Sequence, residues 1–258
     1  MTAECVVFLV GEGPSDIGDL AVAREHRSTK PADGFMQPVL RKLADGRATL
    51  AFRGQTLKSF PAKGLTEPRD ALGRKARQAL ALAALEGATA LVLVTDVDKS
   101  QGERASAVEA QRRMRAVRGA IESGFATARD LDDELAELPT VVATPLRMIE
   151  DWALSDAAAI AEATGQQTPP SLPSGSPEGY WGDEQDPSSN HPKCVLTRAC
   201  GTRPGRRTYG DIARETPINV LKRRCPTSFA PFAAEVRAAL DRCVGPAAPP
   251  SARRRKRR

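Results

Sequence analysis

Ala90-Leu91-Val92-Leu93-Val94 is followed directly by Thr95-Asp96-Val97-Asp98. An unbroken aliphatic run of this length is typical of a strand that is buried on both faces of a parallel sheet. Asp96 and Asp98 then lie where the strand ends, and side chains two residues apart point to the same side. Ligands of open α/β sheets bind beyond the carboxyl ends of the strands, so the pair predicts a site for Mg²⁺ or Mn²⁺. The alternative is an ordinary turn, in which aspartate is common.

A second apolar strand is predicted over residues 4–10, and it ends in Gly11-Glu12-Gly13-Pro14-Ser15-Asp16. Flanking glycines let the backbone turn sharply and be approached closely, so Glu12 is expected to be displayed as a further metal ligand. Ser15 or Asp16 is expected to cap the following helix, with Asp16 as a possible additional ligand. No Gly-Lys-Ser/Thr follows the loop, which excludes a phosphate-cradling P-loop.

A third acidic segment follows the candidate strand 140–144. On a helix, Trp152 and Asp156 share one face and Glu150 lies on a neighbouring one. Alone, the segment predicts an amphipathic helix with solvated acids and a core tryptophan. Beside the other two segments it makes Glu150 a fourth candidate ligand and Asp156 a possible one.

The alternation of strands and helices predicts an α/β fold, with a mostly parallel sheet and helices on both faces, over residues 1–164. The predicted order is strand 4–10, helices 15–25 and 35–45, strand 48–52, helix 68–86, strand 88–95, helix 105–123, strand 140–144 and helix 147–163. Residues 165–192 are rich in Pro, Ser, Gly, Gln and Asp, which predicts a mobile loop or linker. Residues 193–245 are expected to form a small helical appendage, with helices at 193–200, 208–224 and 229–243, and residues 246–258 a disordered basic tail.

The three acidic segments together resemble the toprim domain. The matching motifs are Gly-Glu-Gly-x-Ser-Asp at 11–16, Asp-x-Asp at 96–98 and Glu-x-Trp-x-Leu-x-Asp at 150–156, each of the first two following a predicted strand. The chain is more narrowly similar to an uncharacterised bacterial toprim-related family, whose pattern ends in Pro-x-Lys; Pro192-Lys193 is a weaker match to that motif. The chain departs from the pattern at Ser15-Asp16, where Thr-Glu is usual. The resemblance covers residues 4–156, with a fainter extension to 232.

The resemblance implies a metal-dependent nuclease. Glu12, Asp96 and Asp98 would hold Mg²⁺ or Mn²⁺ beside a phosphodiester, and Glu150 would complete the shell or orient the attacking water. Lys193 is expected to neutralise charge on the phosphate. Relatives of the family are often encoded beside an ATPase and associated with anti-phage defence, which implies a possible ATPase partner. Both tyrosines lie far down the chain in surroundings that predict little regular structure, so hydrolysis is expected rather than a tyrosyl intermediate.

Charge favours nucleic acid as the partner. Six basic residues end the chain, and they account for the whole net charge of +6: Arg253, Arg254, Arg255, Lys256, Arg257 and Arg258. Basic arms of this kind hold phosphates by a sequence-blind, salt-sensitive attraction, although a solubilising terminus is an equal alternative. Two further basic clusters, at 198–207 and 222–224, would either follow a phosphate backbone or form a solvated face. An aromatic content of 4% is too low for a platform of stacked bases.

Two other functions fit the same acids. Asp96-Val97-Asp98-Lys99-Ser100 matches the opening signature of haloacid-dehalogenase phosphatases, although that signature normally lies on the first strand. A degenerate toprim module that binds nucleic acid or a partner without cutting is the non-enzymatic alternative.

The cysteines predict a reducing, cytoplasmic compartment. The chain has five of them and no Cys-x-x-Cys. A zinc site from His191, Cys194, Cys200 and Cys225 matches no standard spacing, so buried thiols are expected instead. No stretch approaches the roughly 18 apolar residues of a membrane span, and no membrane association is expected.

Overall fold

The strands form one parallel sheet, as the sequence predicts. The structure is a computed structural model that describes residues 3–21, 31–61, 68–97 and 107–244. Its strands are β1 (Ala3–Gly11), β2 (Ala48–Thr56), β3 (Ala90–Val94) and β4 (Thr140–Ala143). They pair in the order β2-β1-β3-β4, with every neighbouring pair parallel. The two central strands, β1 and β3, therefore end side by side, and each precedes one of the acidic segments.

Both faces of the sheet are covered, which explains why β3 is apolar at every position. Val92 belongs to a cluster on one face, while Leu91 and Leu93 belong to a cluster on the other. The helices are α1 (Pro14–Ile17), α2 (Met36–Ala44), α3 (Pro68–Leu85), α4 (Ala107–Leu131), α5 (Ile149–Ala153), α6 (Ala157–Thr164), α7 (Pro192–Cys200), α8 (Arg206–Glu215), α9 (Ile218–Arg224) and α10 (Phe229–Val244). Helices α3 and α4 cover one face, and α2 packs with the C-terminal helices on the other.

The C-terminal helices are part of the sheet domain and not an appendage to it. Helix α10 contacts β1, β3 and β4 directly. Its Phe229 and Phe232 lie in the same buried cluster as Val7 and Leu9 of β1. The packing therefore differs from the predicted division at residue 193, because the last helices supply the apolar layer that one face of the sheet requires.

The segment 165–192 also differs from the predicted linker. Glu178 is buried, and its Oε1 accepts hydrogen bonds from the backbone N–H (2.7 Å) and the hydroxyl (2.6 Å) of Ser228. The carbonyl of Tyr180 accepts a hydrogen bond of 2.7 Å from the Arg147 guanidinium, which lies 3.8 Å from the centre of the Trp181 ring. Polar composition predicted a loop, but a few buried side chains attach that loop to the core.

Two predicted helices are interrupted. The helix predicted over 147–163 is split between α5 and α6, because Asp156 starts a new helix by accepting hydrogen bonds from the N–H groups of Ala158 and Ala159. The helix predicted over 208–224 ends at Glu215, ahead of Pro217, in agreement with the restriction that proline places on the preceding residue.

Candidate metal and phosphate site

Three acid-bearing loops meet at the carboxyl edge of the sheet. Glu12, after β1, accepts hydrogen bonds at Oε1 from the Thr95 hydroxyl (2.6 Å) and from the Asp96 N–H (3.2 Å). Asp96, after β3, accepts one at Oδ1 from the N–H of Ile149 (3.1 Å). Glu150 directly follows Ile149 in the sequence. Parallel pairing thus places Glu12, Asp96 and Glu150 in one continuous network, although they are far apart in sequence.

The Glu12 loop is fixed by Asp16. The buried Asp16 carboxylate accepts hydrogen bonds at Oδ2 from the N–H groups of Glu12 (2.6 Å) and Gly13 (3.1 Å). Gly13 occupies the N-cap position of α1, so Asp16 acts from the third helical position and neither it nor Ser15 is the cap itself. A Cβ on Gly11 would lie 2.7 Å from Cγ2 of Ile17, so only glycine permits this close approach.

The loop before α5 is built in the same way. The Asp151 carboxylate is buried and accepts hydrogen bonds at Oδ2 from the N–H groups of Arg147 (3.0 Å) and Met148 (3.4 Å). Asp151 is the third residue of α5, as Asp16 is of α1. Asp151 was not among the predicted site residues, although an acid at the third position of a predicted helix is a recognised capping signal. The two loops that carry Glu12 and Glu150 are therefore held by equivalent acids.

Burial and neighbouring acids raise the pKa values of Asp16 and Asp96. Burial raises the pKa of Asp16 to about 7, with contributions from Glu150 and Glu12. Burial also raises the pKa of Asp96 well above its usual range, and the charges of Asp16, Glu150 and Glu12 add to the shift. The charges of Glu12 and Glu150 therefore oppose ionisation of Asp16 and Asp96, and a bound cation would relieve that cost.

Tyr209 is a site residue that the sequence analysis missed. It lies in α8, within the predicted helix 208–224, is buried, and donates a hydrogen bond of 2.7 Å from its hydroxyl to Oε1 of Glu150. Burial raises the pKa of Glu150, while this hydrogen bond lowers it. Burial and the Glu150 charge raise the pKa of the Tyr209 phenol, which keeps the hydroxyl protonated. No spacing in the sequence connects two residues that lie 59 positions apart.

A cleft of about 520 Å³ opens beside Glu150. Its basic lining residues are Lys193, Arg198, Arg203 and Arg206. Lys193, in the first turn of α7, forms an ion pair of 3.0 Å with Glu184 and interacts electrostatically with Glu150 and Asp96. Arg198, Arg203 and Arg206, which belong to the basic cluster at 198–207, thus line the same cleft as Glu150 and Lys193.

Other predicted residues are placed elsewhere or lie beyond what is described. Asp98 and the basic tail, residues 253–258, lie outside the described residues. Asp156 caps α6 and has no contact with Glu12 or Asp96 among the described interactions. Within residues 3–21, 31–61, 68–97 and 107–244, no three or more His, Cys, Asp or Glu side chains are grouped closely enough to hold a metal ion. Glu12, Asp96 and Glu150 supply oxygen donors of the kind that Mg²⁺ favours, but they do not form a closed set of ligands by themselves.

The cysteines proposed for zinc point to different partners. Cys225 is buried, and its sulfur lies 3.3 Å from the Ser155 hydroxyl. The sulfur of Cys194 lies 3.4 Å from the carbonyl oxygen of Glu184. These thiols are placed as buried structural groups, as expected.

Comparisons with protein-family models, with curated proteins and with solved structures find no match. Among the described helices, none has the length and apolar character needed to cross a membrane.

Proposed function

We propose that this chain is a divalent-metal-dependent hydrolase of nucleic-acid phosphodiester bonds, of the toprim type. The observation that carries the proposal is the junction of two features at one edge of the sheet. One is the network that joins Glu12, Asp96 and the Glu150 loop. The other is the adjoining cleft with its four basic side chains. Acids that bind a cation and bases that bind phosphate are the two requirements of this chemistry.

The acids divide into two roles in this proposal. Glu12 and Asp96, with Asp98 beyond the described residues, would hold Mg²⁺ or Mn²⁺. When bound, the ion would polarise a phosphoryl oxygen and lower the pKa of a water molecule. Glu150 is held by Tyr209 at the mouth of the cleft, where a carboxylate can orient water or accept its proton.

Lys193 would stabilise the charge that develops on the phosphate. It lies on α7, and its ion pair with Glu184 is solvent-accessible, so an incoming phosphate can compete for the ammonium group. The electrostatic interaction of Lys193 with Glu150 and Asp96 supports this role. The resemblance to the toprim-related family, through Pro192-Lys193, supports the same assignment. An ATPase partner and a role in anti-phage defence rest on that resemblance alone.

The test of the proposal is a cleavage assay with end-labelled single-stranded and duplex DNA and RNA. We expect cleavage in Mg²⁺ or Mn²⁺ and none in EDTA, because the proposed nucleophile needs the ion. Retained binding without cleavage of any substrate would contradict the hydrolase and support the non-catalytic module. The non-catalytic module is the second candidate function, and it is favoured because the described residues contain no closed group of metal ligands. Metal-dependent release of phosphate through an aspartyl-phosphate would instead identify the phosphatase.

Tyr209→Phe is expected to lower the cleavage rate about 5- to 30-fold and to move the acidic limb of its pH profile to higher pH. The phenol hydrogen bond lowers the pKa of Glu150, so its loss raises that pKa and demands a higher pH for the ionised form. Loss of one charge-assisted hydrogen bond costs on the order of 1–2 kcal/mol, which sets the range. The measurement is kcat/KM between pH 5.5 and 9.

Tyr180→Phe is the matched control for this prediction. The Tyr180 hydroxyl donates to the carbonyl of Pro173, and neither residue lines the cleft. Its pH profile should therefore coincide with that of the wild type. A Tyr209→Phe profile that falls at every pH without a shift would assign Tyr209 a packing role only.

A further inference from the structure

We propose that Arg198 and Arg203 form a subsite for the phosphodiester backbone of an unpaired nucleic-acid strand. This inference rests on the proposed function, because it takes the reacting phosphate to lie beside Lys193 and Glu150. The subsite would bind the part of the strand that continues away from that phosphate.

The four cations of the cleft differ in how their charge is balanced. Lys193 is paired with Glu184, and Arg206 is paired at 2.8 Å with the buried Asp19. In the part of the chain that the structure describes, Arg198 and Arg203 have no carboxylate within ion-pair distance. Arg198 interacts with Asp186, and Arg203 with Glu184, only at longer range, so these two positive charges are the less compensated ones that an anion in the cleft would meet.

Arg198 is also held in position before any ligand binds. One of its terminal nitrogens donates a hydrogen bond to the carbonyl of Pro187, which is neutral and leaves the positive charge in place. A guanidinium has five N–H donors, so the remaining ones can bind a phosphate in a two-point contact. Preorganisation of this kind reduces the entropy that is lost when the ligand binds.

The spacing along α7 fits two phosphates of one strand that lie about two nucleotides apart. Arg198 follows Lys193 by five residues, which places it about 7.5 Å further along the helix axis at a rise of about 1.5 Å per residue. That separation corresponds to roughly two stacked nucleotides at about 3.4 Å each. The cleft of about 520 Å³ has the size of a small-ligand site and is too small to enclose a duplex. Among the described residues that line the cleft, Tyr209 is the only aromatic one and it is buried, so the contacts are with the backbone and not with the bases.

The test measures binding of the full-length protein without metal. Fluorescein-labelled 12-nucleotide oligothymidylate and oligouridylate are titrated in EDTA and followed by anisotropy. For Arg198→Gln/Arg203→Gln we expect the Kd to rise about tenfold or more for both strands. The slope of log K against log salt should fall by about 1.4, because each single-strand phosphate contact contributes about 0.7.

Two further variants make the result specific. Arg237→Gln/Arg242→Gln removes two exposed arginines of α10 that do not line the cleft, and it should change Kd less than twofold. Arg198→Lys/Arg203→Lys keeps the charges but not the two-point contacts, so it should retain the wild-type salt slope while losing part of the affinity, which separates charge loss from a folding defect. An unchanged Kd for the glutamine pair, or an equal loss in the α10 control, would overturn the subsite.

The subsite and the hydrolase can fail separately. If the wild type binds strands through these arginines but never cleaves, the hydrolase proposal falls and the subsite stands. If the wild type cleaves and Arg198→Gln/Arg203→Gln binds and cleaves equally well, only the subsite falls.

Discussion

Asp96→Asn is expected to reduce metal-dependent cleavage more than about 100-fold without destabilising the protein. Replacing a residue that hydrogen-bonds to a metal ligand typically lowers metal affinity or activity 10- to 100-fold. The loss of a ligand itself should lower activity by more than that. Asparagine has the same shape, and its amide oxygen can still accept the hydrogen bond from the N–H of Ile149. The variant therefore removes the charge while keeping the contact that joins the β3 and β4 loops.

The stability of the same variant gives an independent readout. Burial and neighbouring acids raise the pKa of Asp96, so the folded state binds this proton more tightly than the unfolded state. Such a group contributes stability below its unfolded pKa, near 4, and that contribution is lost as pH rises through the folded value. At pH 8 without metal, Asp96→Asn should thus unfold at an equal or higher temperature than the wild type. Added Mg²⁺ should raise the melting temperature of the wild type and have little effect on the variant.

Asp241→Asn is the matched control for Asp96→Asn. Asp241 is an exposed carboxylate on α10 that pairs with Arg47 at 2.6 Å, an interaction worth about 1 kcal/mol or less. Its cleavage rate and its response to Mg²⁺ should equal those of the wild type. If Asp96→Asn kept its rate while remaining folded, Asp96 would have no part in catalysis.

The sheet was predictable from the sequence because a strand that is buried on both faces is apolar at every position. The apolar runs of β1 and β3 identified the two central strands, and the chain reversals between them required helices. The polar composition of residues 165–192 predicted a mobile loop or linker. The segment is nevertheless attached to the core by single buried side chains such as Glu178 and Tyr180, which the average composition of a segment does not reveal. The C-terminal helices were read as separate because amphipathic patterns show that a face is buried but not what buries it.

The candidate site was also predictable only in part. Glu12 and Asp96 were predictable because each follows a strand, and parallel strands bring their carboxyl ends to one edge. Tyr209 and Asp151 were not selected: Tyr209 reaches Glu150 only through the packing of α8, and Asp151 serves the backbone of its own loop. Motifs therefore identified the acids, while the groups that hold those acids emerged from tertiary structure.

Trp152→Ala is expected to lower the free energy of unfolding by about 3–5 kcal/mol, the range typical of large aromatic side chains removed from a core. Trp152 is completely buried, and its ring lies 5.0 Å from Phe229 and 5.3 Å from Phe232, measured between centroids. Its indole N–H also donates a hydrogen bond of 2.8 Å to the hydroxyl of Ser228. The substitution therefore opens a cavity and removes a hydrogen bond where α5 meets α10. The measurement is urea unfolding followed by circular dichroism.

Trp181→Ala is the natural comparison, since the chain has only these two tryptophans. Trp181 is partly exposed and packs against the Arg147 guanidinium, a contact worth roughly 0.5–2 kcal/mol. In that variant Trp152 is the only tryptophan left, so its fluorescence reports on the junction between α10 and the sheet. We expect its fluorescence and circular dichroism transitions to coincide, because one buried cluster contains both α10 and β1. A fluorescence transition that precedes the loss of helix and strand signal would show that the C-terminal helices detach first, and would restore the predicted appendage.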